Sequence, residues 1–213
     1  MTEQNTQTAH LVRLELQLRD AVVSANIPAK RLQDAMLYAL YPGGKRIRPQ
    51  LVYLACDLLN VPHRAADSIA VAIELVHAYS LGHDDLPAMD DDAVRRGKPT
   101  AHIEFDEATA ILSGDALLTM AFQLLVDPRY LSPDNPEQSL RVVHMVAKAA
   151  GYNGMVEGQM LDMLSERKAL ELNDIEVLHQ KKTGALIRAS VSAGALLGNA
   201  TQDQLTALER YAD

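Results

Sequence analysis

Leu11, Leu14, Leu18 and Val22 recur at intervals of three and four, which gives one apolar stripe along a helix. The same period continues along nearly the whole chain. It predicts further helices over roughly 29–41, 49–59, 64–85, 102–126, 137–150, 154–168, 173–197 and 202–213. Breakers fall between them at Pro42-Gly43-Gly44, at Pro62, at Pro99 and along the stretch from Pro128 to Pro136. Asn173 with Glu176, and Thr201 with Gln204, have the spacing of capping boxes, and Pro49 suits the first turn of its helix. No alternating pattern is long enough to predict a useful strand, and there is no internal repeat or low-complexity segment. The expectation is an all-α bundle forming one domain over 1–213. Leu205, Leu208 and Ala212 lie on one side of the last predicted helix, which reaches Asp213 without a Gly or Asn cap. The chain reads as ending inside a helix.

Composition sharpens this picture. Of 213 residues, 48% are apolar, with two Phe and no Trp, and the Ala/Leu-rich mix favours helix over strand. A formal charge of −8 argues against a nucleic-acid partner, which would need a basic footprint. An acidic chain that binds phosphate groups needs metal ions to do so. Cys56 is the sole cysteine, so no intramolecular disulfide forms and a reducing compartment is expected. The polar start, Met1 to Ala9, does not read as a secretory signal, and no run suggests a membrane span. The protein is expected to be soluble and cytoplasmic.

Candidate chemistry concentrates between His77 and Lys98. Five aspartates, Asp84, Asp85, Asp90, Asp91 and Asp92, fall within nine positions and are followed by Arg95 and Arg96. Crowded carboxylates raise one another's pKa unless a cation sits among them. Mg²⁺ suits that role, since it takes one or two carboxylates and fills its other positions with water and phosphate oxygens. Adjacent arginines suit the phosphate. A solvated acidic loop is the plainer reading of such a run on its own. His77, Ser80 and Asp84 share a helix face, whereas Asp84 and Asp90 would lie about 120° apart on an unbroken helix. Pro87 disturbs that helix and lets the two carboxylates converge.

Three further segments carry chemistry. In Gly43-Gly44-Lys45-Arg46-Ile47-Arg48-Pro49, two glycines admit close backbone approach and three cations precede a helix start. In Gly158-Gln159-Met160-Leu161-Asp162, Gln159 and Asp162 face the same way on a helix. Lys181-Lys182-Thr183-Gly184 brings a cation, a hydroxyl and a glycine to one helical turn. Each alone also reads as an ordinary loop or helix surface.

Together, GGKRIRP, DDLPAMD, RRGKPTAH, GQMLD and KTGALI resemble the trans-isoprenyl (polyprenyl) diphosphate synthases in content and order, from about Tyr38 to Gly198. Among these they look like the bacterial farnesyl diphosphate synthase type. The resemblance implies a bundle of long antiparallel helices around a deep central cavity, usually a homodimer. It implies Mg²⁺-dependent condensation of isopentenyl diphosphate with an allylic diphosphate, dimethylallyl or geranyl. Carried over by position, Asp84 and Asp90 ligate the metal with support from Asp85, and Arg95 holds the allylic diphosphate. Lys45, Arg48, His77 and Arg96 hold isopentenyl diphosphate. Lys182 and Thr183 act beside the reacting carbons, while Gln159 and Asp162 support the diphosphate–metal shell. Tyr79 and Ser80, five and four residues before Asp84, set product length. The family also carries a second aspartate-rich segment and C-terminal helices beyond the point where this chain stops, so a truncated record is expected. Other readings are a non-catalytic helical subunit that dimerises with a complete synthase, a geranyl or geranylgeranyl diphosphate synthase, and a terpene cyclase that shares the metal logic.

Overall fold

The computed structural model describes residues 3–130, 135–166 and 168–212. Positions 131–134, within the breaker stretch, lie outside the described residues, as do 167 and 213 at the ends of two predicted helices. In chain order the elements are α1 (Glu3–Ser24), α2 (Lys30–Leu40), α3 (Ile47–Leu58), α4 (His63–Asp84), a hairpin of β1 (Val94–Arg95) and β2 (Lys98–Pro99), and α5 (Ala101–Glu104). Then follow α6 (Glu107–Leu125), α7 (Pro136–Ala150), α8 (Met155–Ser165), α9 (Leu172–His179), a π-helical turn (Gln180–Gly184), α10 (Ala185–Leu197) and α11 (Gln202–Ala212). The all-α expectation holds. The hairpin of two-residue strands is too short for its alternation to show in the sequence.

The chain divides into two compact units, Met1–Ile47 with Val71–Leu124, and Arg48–Ala70 with Leu125–Asp213. In the first, the predicted α1 stripe is buried at Leu14, Leu18 and Val22, together with Met36 and Leu40 of α2, Ile73 and Val76 of α4, and Leu117 and Ala121 of α6. Helix α6 is long enough and, at a mean hydropathy of 1.4, apolar enough to cross a membrane, a feature the sequence reading did not single out. The predicted helix over 102–126 is two helices. Asp106 interrupts it because its side chain accepts a hydrogen bond from the Thr109 N–H at 2.6 Å, capping α6. Arg31 of α2 reaches the same carboxylate at 2.5 Å.

Arg46 is the second correction. Grouped by sequence with Lys45 and Arg48 as a row of cations, it lies with φ +51°. Its side chain turns inward, 1% exposed. It meets Glu74 of α4 at 2.6 Å and Glu15 of α1 at 2.9 Å. It also donates to the Leu40 carbonyl at the end of α2 at 2.7 Å. Burial alone would lower its pKa, but the two carboxylates outweigh that and raise it.

In the second unit, Val52, Tyr53 and Cys56 of α3, Val142 and Val146 of α7, and Leu186, Val191 and Ala193 of α10 are buried. Tyr53 donates to Asp67 at 2.9 Å within this core. The Thr201–Gln204 capping box forms in both directions, at 2.9 and 3.3 Å. The Asn173 box does not. Helix α9 starts one residue earlier with Glu171 in the extended N-cap position, so Asn173 lies inside the first turn.

Two outcomes follow. Arg46→Leu leaves Glu74 buried without its counter-charge and should cost about 3–5 kcal/mol, read from urea unfolding. Burial pushes the Cys56 thiol to about 12, so no thiolate is present at neutral pH. The native protein should resist a thiol reagent at pH 8, and the denatured chain should react with one equivalent.

Candidate functional site

Helix α4 ends at Asp84, and the chain folds back at once. Leu86 N–H donates to the His83 carbonyl at 3.2 Å, Asp91 N–H to Leu86 at 3.2 Å, and Asp90 N–H to the Asp84 carbonyl at 2.9 Å. Pro87 brings no N–H to this turn and holds Leu86 away from helical geometry. Asp84 and Asp90 are therefore backbone neighbours, where a continuous helix would have set them apart. Asp84 is half-buried and Asp90 exposed.

Asp85 takes a different place. It is buried, and burial raises its pKa while Arg95 opposes the shift. Arg95 Nε donates to it at 2.6 Å, and Arg95 also reaches Asp92 at 3.2 Å. Two carboxylates thus hold Arg95 beside the folded-back loop.

The β1–β2 hairpin turns through Arg96 and Gly97, with φ +53° and +78°. Positive φ at both central residues matches the twist of a two-residue hairpin, and Gly97 adopts it without steric cost. The turn sends successive side chains apart. Arg95 goes to Asp85, while Arg96 lies on Gly44 and donates to the Pro42 carbonyl at 3.4 Å. Desolvation there, and then the Arg46 charge, lower the Arg96 pKa. Lys98 donates to the Tyr38 carbonyl at 2.5 Å and to that of Tyr41, and sits 3.4 Å over the Tyr38 ring. Burial, and then Arg96, lower its pKa.

Gly43 and Gly44 thus serve a purpose that the sequence did not reveal. A Cβ on Gly43 would lie 2.3 Å from Arg46 Nη2, and one on Gly44 2.8 Å from Arg96 Nη2. The pair makes room for two guanidinium groups, and Lys45, which follows it in the chain, stays exposed. Lys98 was missed because nothing in a lone lysine announces that it will cap a helix end sixty residues away. A cavity of about 40 Å³ among Gly82, Asp85, Arg95, Arg96 and Lys98 is roomy enough for a water molecule and too small for a diphosphate. His77 and Ser80 are half-buried on α4, Tyr79 is buried, and Ser80 donates to the His77 carbonyl at 2.9 Å. Arg48 belongs to the second unit and is half-buried.

The remaining predicted residues lie in the second unit, on α8 and the π-helical turn. Lys182 Nζ pairs with Asp162 at 2.6 Å, and Lys181 Nζ with Glu157 at 2.5 Å. These contacts depend on Gly158, where a Cβ would fall 2.1 Å from the Lys182 backbone nitrogen. The helix predicted over 173–197 is continuous in sequence but widens to π geometry at Gln180–Gly184. No residue pattern signals that widening, which recurs at functional sites. Thr183 is exposed. Both amide atoms of Gln159 are inaccessible and have no hydrogen-bond partner among the described residues. A buried amide left unsatisfied is costly, and it suits a group that a ligand completes.

Gly158→Ala should lower stability by about 1–3 kcal/mol, because the backbone it meets has no flexible end to give way. Gly82→Ala meets nothing within 4 Å and serves as the control, with unchanged or slightly raised stability in the same thermal melt.

Residues 29–213 match the family profile described as Polyprenyl synthetase. A farnesyl diphosphate synthase of Haemophilus influenzae is 49% identical over 191 residues, 90% of this chain and 62% of that protein. The chain thus spans about six-tenths of that relative's length. Among solved structures, a geranyltransferase from Legionella pneumophila superposes with a TM-score of 0.92 at 42% identity, covering 98% of this chain and 74% of that one. An FPP/GFPP synthase from Zymomonas mobilis gives a TM-score of 0.91 at 40% identity, covering 99% and 77%.

Proposed function

Because this chain belongs to the polyprenyl synthetase family, we propose that its protein condenses isopentenyl diphosphate with dimethylallyl or geranyl diphosphate and releases farnesyl diphosphate. The observation that carries this reading is the return of Asp90 to the Asp84 carbonyl, with Arg95 held alongside by Asp85 and Asp92. Such a loop offers carboxylate oxygens to a divalent cation and a guanidinium to the diphosphate that the cation would bring.

The donor set fits Mg²⁺. Asp84 and Asp90 supply hard oxygen ligands from one turn, and the engagement of Asp85 by Arg95 gives it a supporting role rather than a ligand's. Bound there, Mg²⁺ stabilises the charge on the departing diphosphate. Arg95 orients the allylic diphosphate. Lys45, Arg48, His77 and Arg96 hold isopentenyl diphosphate by charge and hydrogen bonds, and the seat of Arg96 on Gly44, next in sequence to Lys45, supports that grouping. Lys182 and Thr183 present a cation and a hydroxyl to leaving-group oxygens, and Gln159 and Asp162 steady that shell.

The allylic C–O bond breaks, and its electron pair leaves with diphosphate. The isopentenyl double bond then attacks the allylic cation to form the new C–C bond. A proton is lost, with the released diphosphate as acceptor, and a new double bond forms. Tyr79 and Ser80 limit the growing chain. A homodimer and a cytoplasmic location complete the proposal.

The test is a product assay on the full-length gene product with Mg²⁺, isopentenyl diphosphate and geranyl diphosphate. The expected product has fifteen carbons and disappears with EDTA. Asp84→Ala should lower turnover at least about 100-fold. Tyr79→Ala should yield longer chains. Folded protein that forms no product would favour the non-catalytic subunit instead.

A further inference from the structure

We infer that His83 is a positioning residue for product length, acting through Tyr79; the inference rests on the chain-elongation reading above. Tyr79 and His83 lie one turn apart on α4, and their rings meet edge to face, with centroids 5.6 Å apart and planes at 83°. Tyr79 is 8% exposed, and its hydroxyl makes no hydrogen bond among the described residues. Its orientation therefore rests on packing, and His83 is its aromatic neighbour.

His83 is itself pinned by α6. Its Nε2 lies 3.0 Å from the Ile111 carbonyl, and because a carbonyl only accepts, that nitrogen carries the proton. Asp115 stands 4.0 Å from the same nitrogen. The imidazole fits there because position 114 has no side chain, since a Cβ on Gly114 would lie 2.2 Å from Nε2. One ring is thus held between a tyrosine face, a backbone carbonyl and a glycine. Removing the imidazole opens a ring-sized space beside Tyr79, into which the phenol can turn. Adding a methyl at 114 drives the imidazole out of its seat. Both changes alter the position of the group proposed to stop elongation, and neither replaces a proposed carboxylate ligand.

The experiment uses the full-length gene product with Mg²⁺, geranyl diphosphate and excess isopentenyl diphosphate, with products dephosphorylated and sized. His83→Ala should raise the ratio of chains longer than fifteen carbons to farnesyl product about tenfold, the low end of what a methylene-sized pocket change discriminates. Gly114→Ala should shift the product ratio while His83 is still present, which keeps the inference testable if His83→Ala folds poorly. Tyr79→Ala/His83→Ala should give the same products as Tyr79→Ala alone, because a residue that acts through another is non-additive with it. The inference is overturned if Tyr79→Ala lengthens the product while folded His83→Ala and Gly114→Ala keep the parental distribution. Additive lengthening in the double variant would also sink it. Failure of the elongation reading looks different: the parent protein makes no prenyl product, or Tyr79→Ala leaves its length unchanged, and the inference then falls with it.

Discussion

Arg46 and Glu74 face each other at 2.6 Å with side chains 1% and 3% exposed. Removing two charges from water costs several kcal/mol per ion unless geometry and further hydrogen bonds compensate. Here Glu15 and the Leu40 carbonyl supply them, so one guanidinium ties α1, the end of α2 and the middle of α4. That clamp sets where the glycine segment leaves α2 and where the aspartate-bearing end of α4 stands. Two other basic residues of this unit settle on the segment next to it, Arg96 on Gly44 and Lys98 on the carbonyls of Tyr38 and Tyr41.

The same economy of space governs the second unit. Gly158 admits the backbone of Lys182, and the π-helical turn carries Lys181 and Lys182 to two carboxylates on α8. Neither lysine is a simple surface charge, because each is half-buried and paired. In both units a glycine that looks like a flexible position is a contact surface. What it enables is the approach of a specific cation, and the penalty for a methyl there is steric rather than conformational.

Much of this was legible in the residues. Helix periodicity gave the order and approximate bounds of the elements, and the chain's resemblance to the trans-isoprenyl diphosphate synthases located the candidate residues. Legibility failed where a short-range event outweighed periodicity. Asp106 ended one apolar run by capping the next helix, and Glu171 displaced Asn173 from the cap. The hairpin at 94–99 was too short to alternate, and π geometry has no sequence period of its own.

The sequence by itself determined the helical class, the cluster of aspartates and arginines, and the family. Periodicity carried the first, the residue order the second, and the resemblance of five short motifs the third, and all three are local properties of a chain. The assignment of charges to tasks was decided only by tertiary structure. Arg46 and Arg48 are alike in sequence, yet a positive φ turns the first into a buried clamp. Asp84 and Asp85 are adjacent, yet the second is committed to Arg95. A charge's role depends on which oppositely charged or polar group the fold brings within about 3 Å, where the interaction is strongest and burial amplifies it.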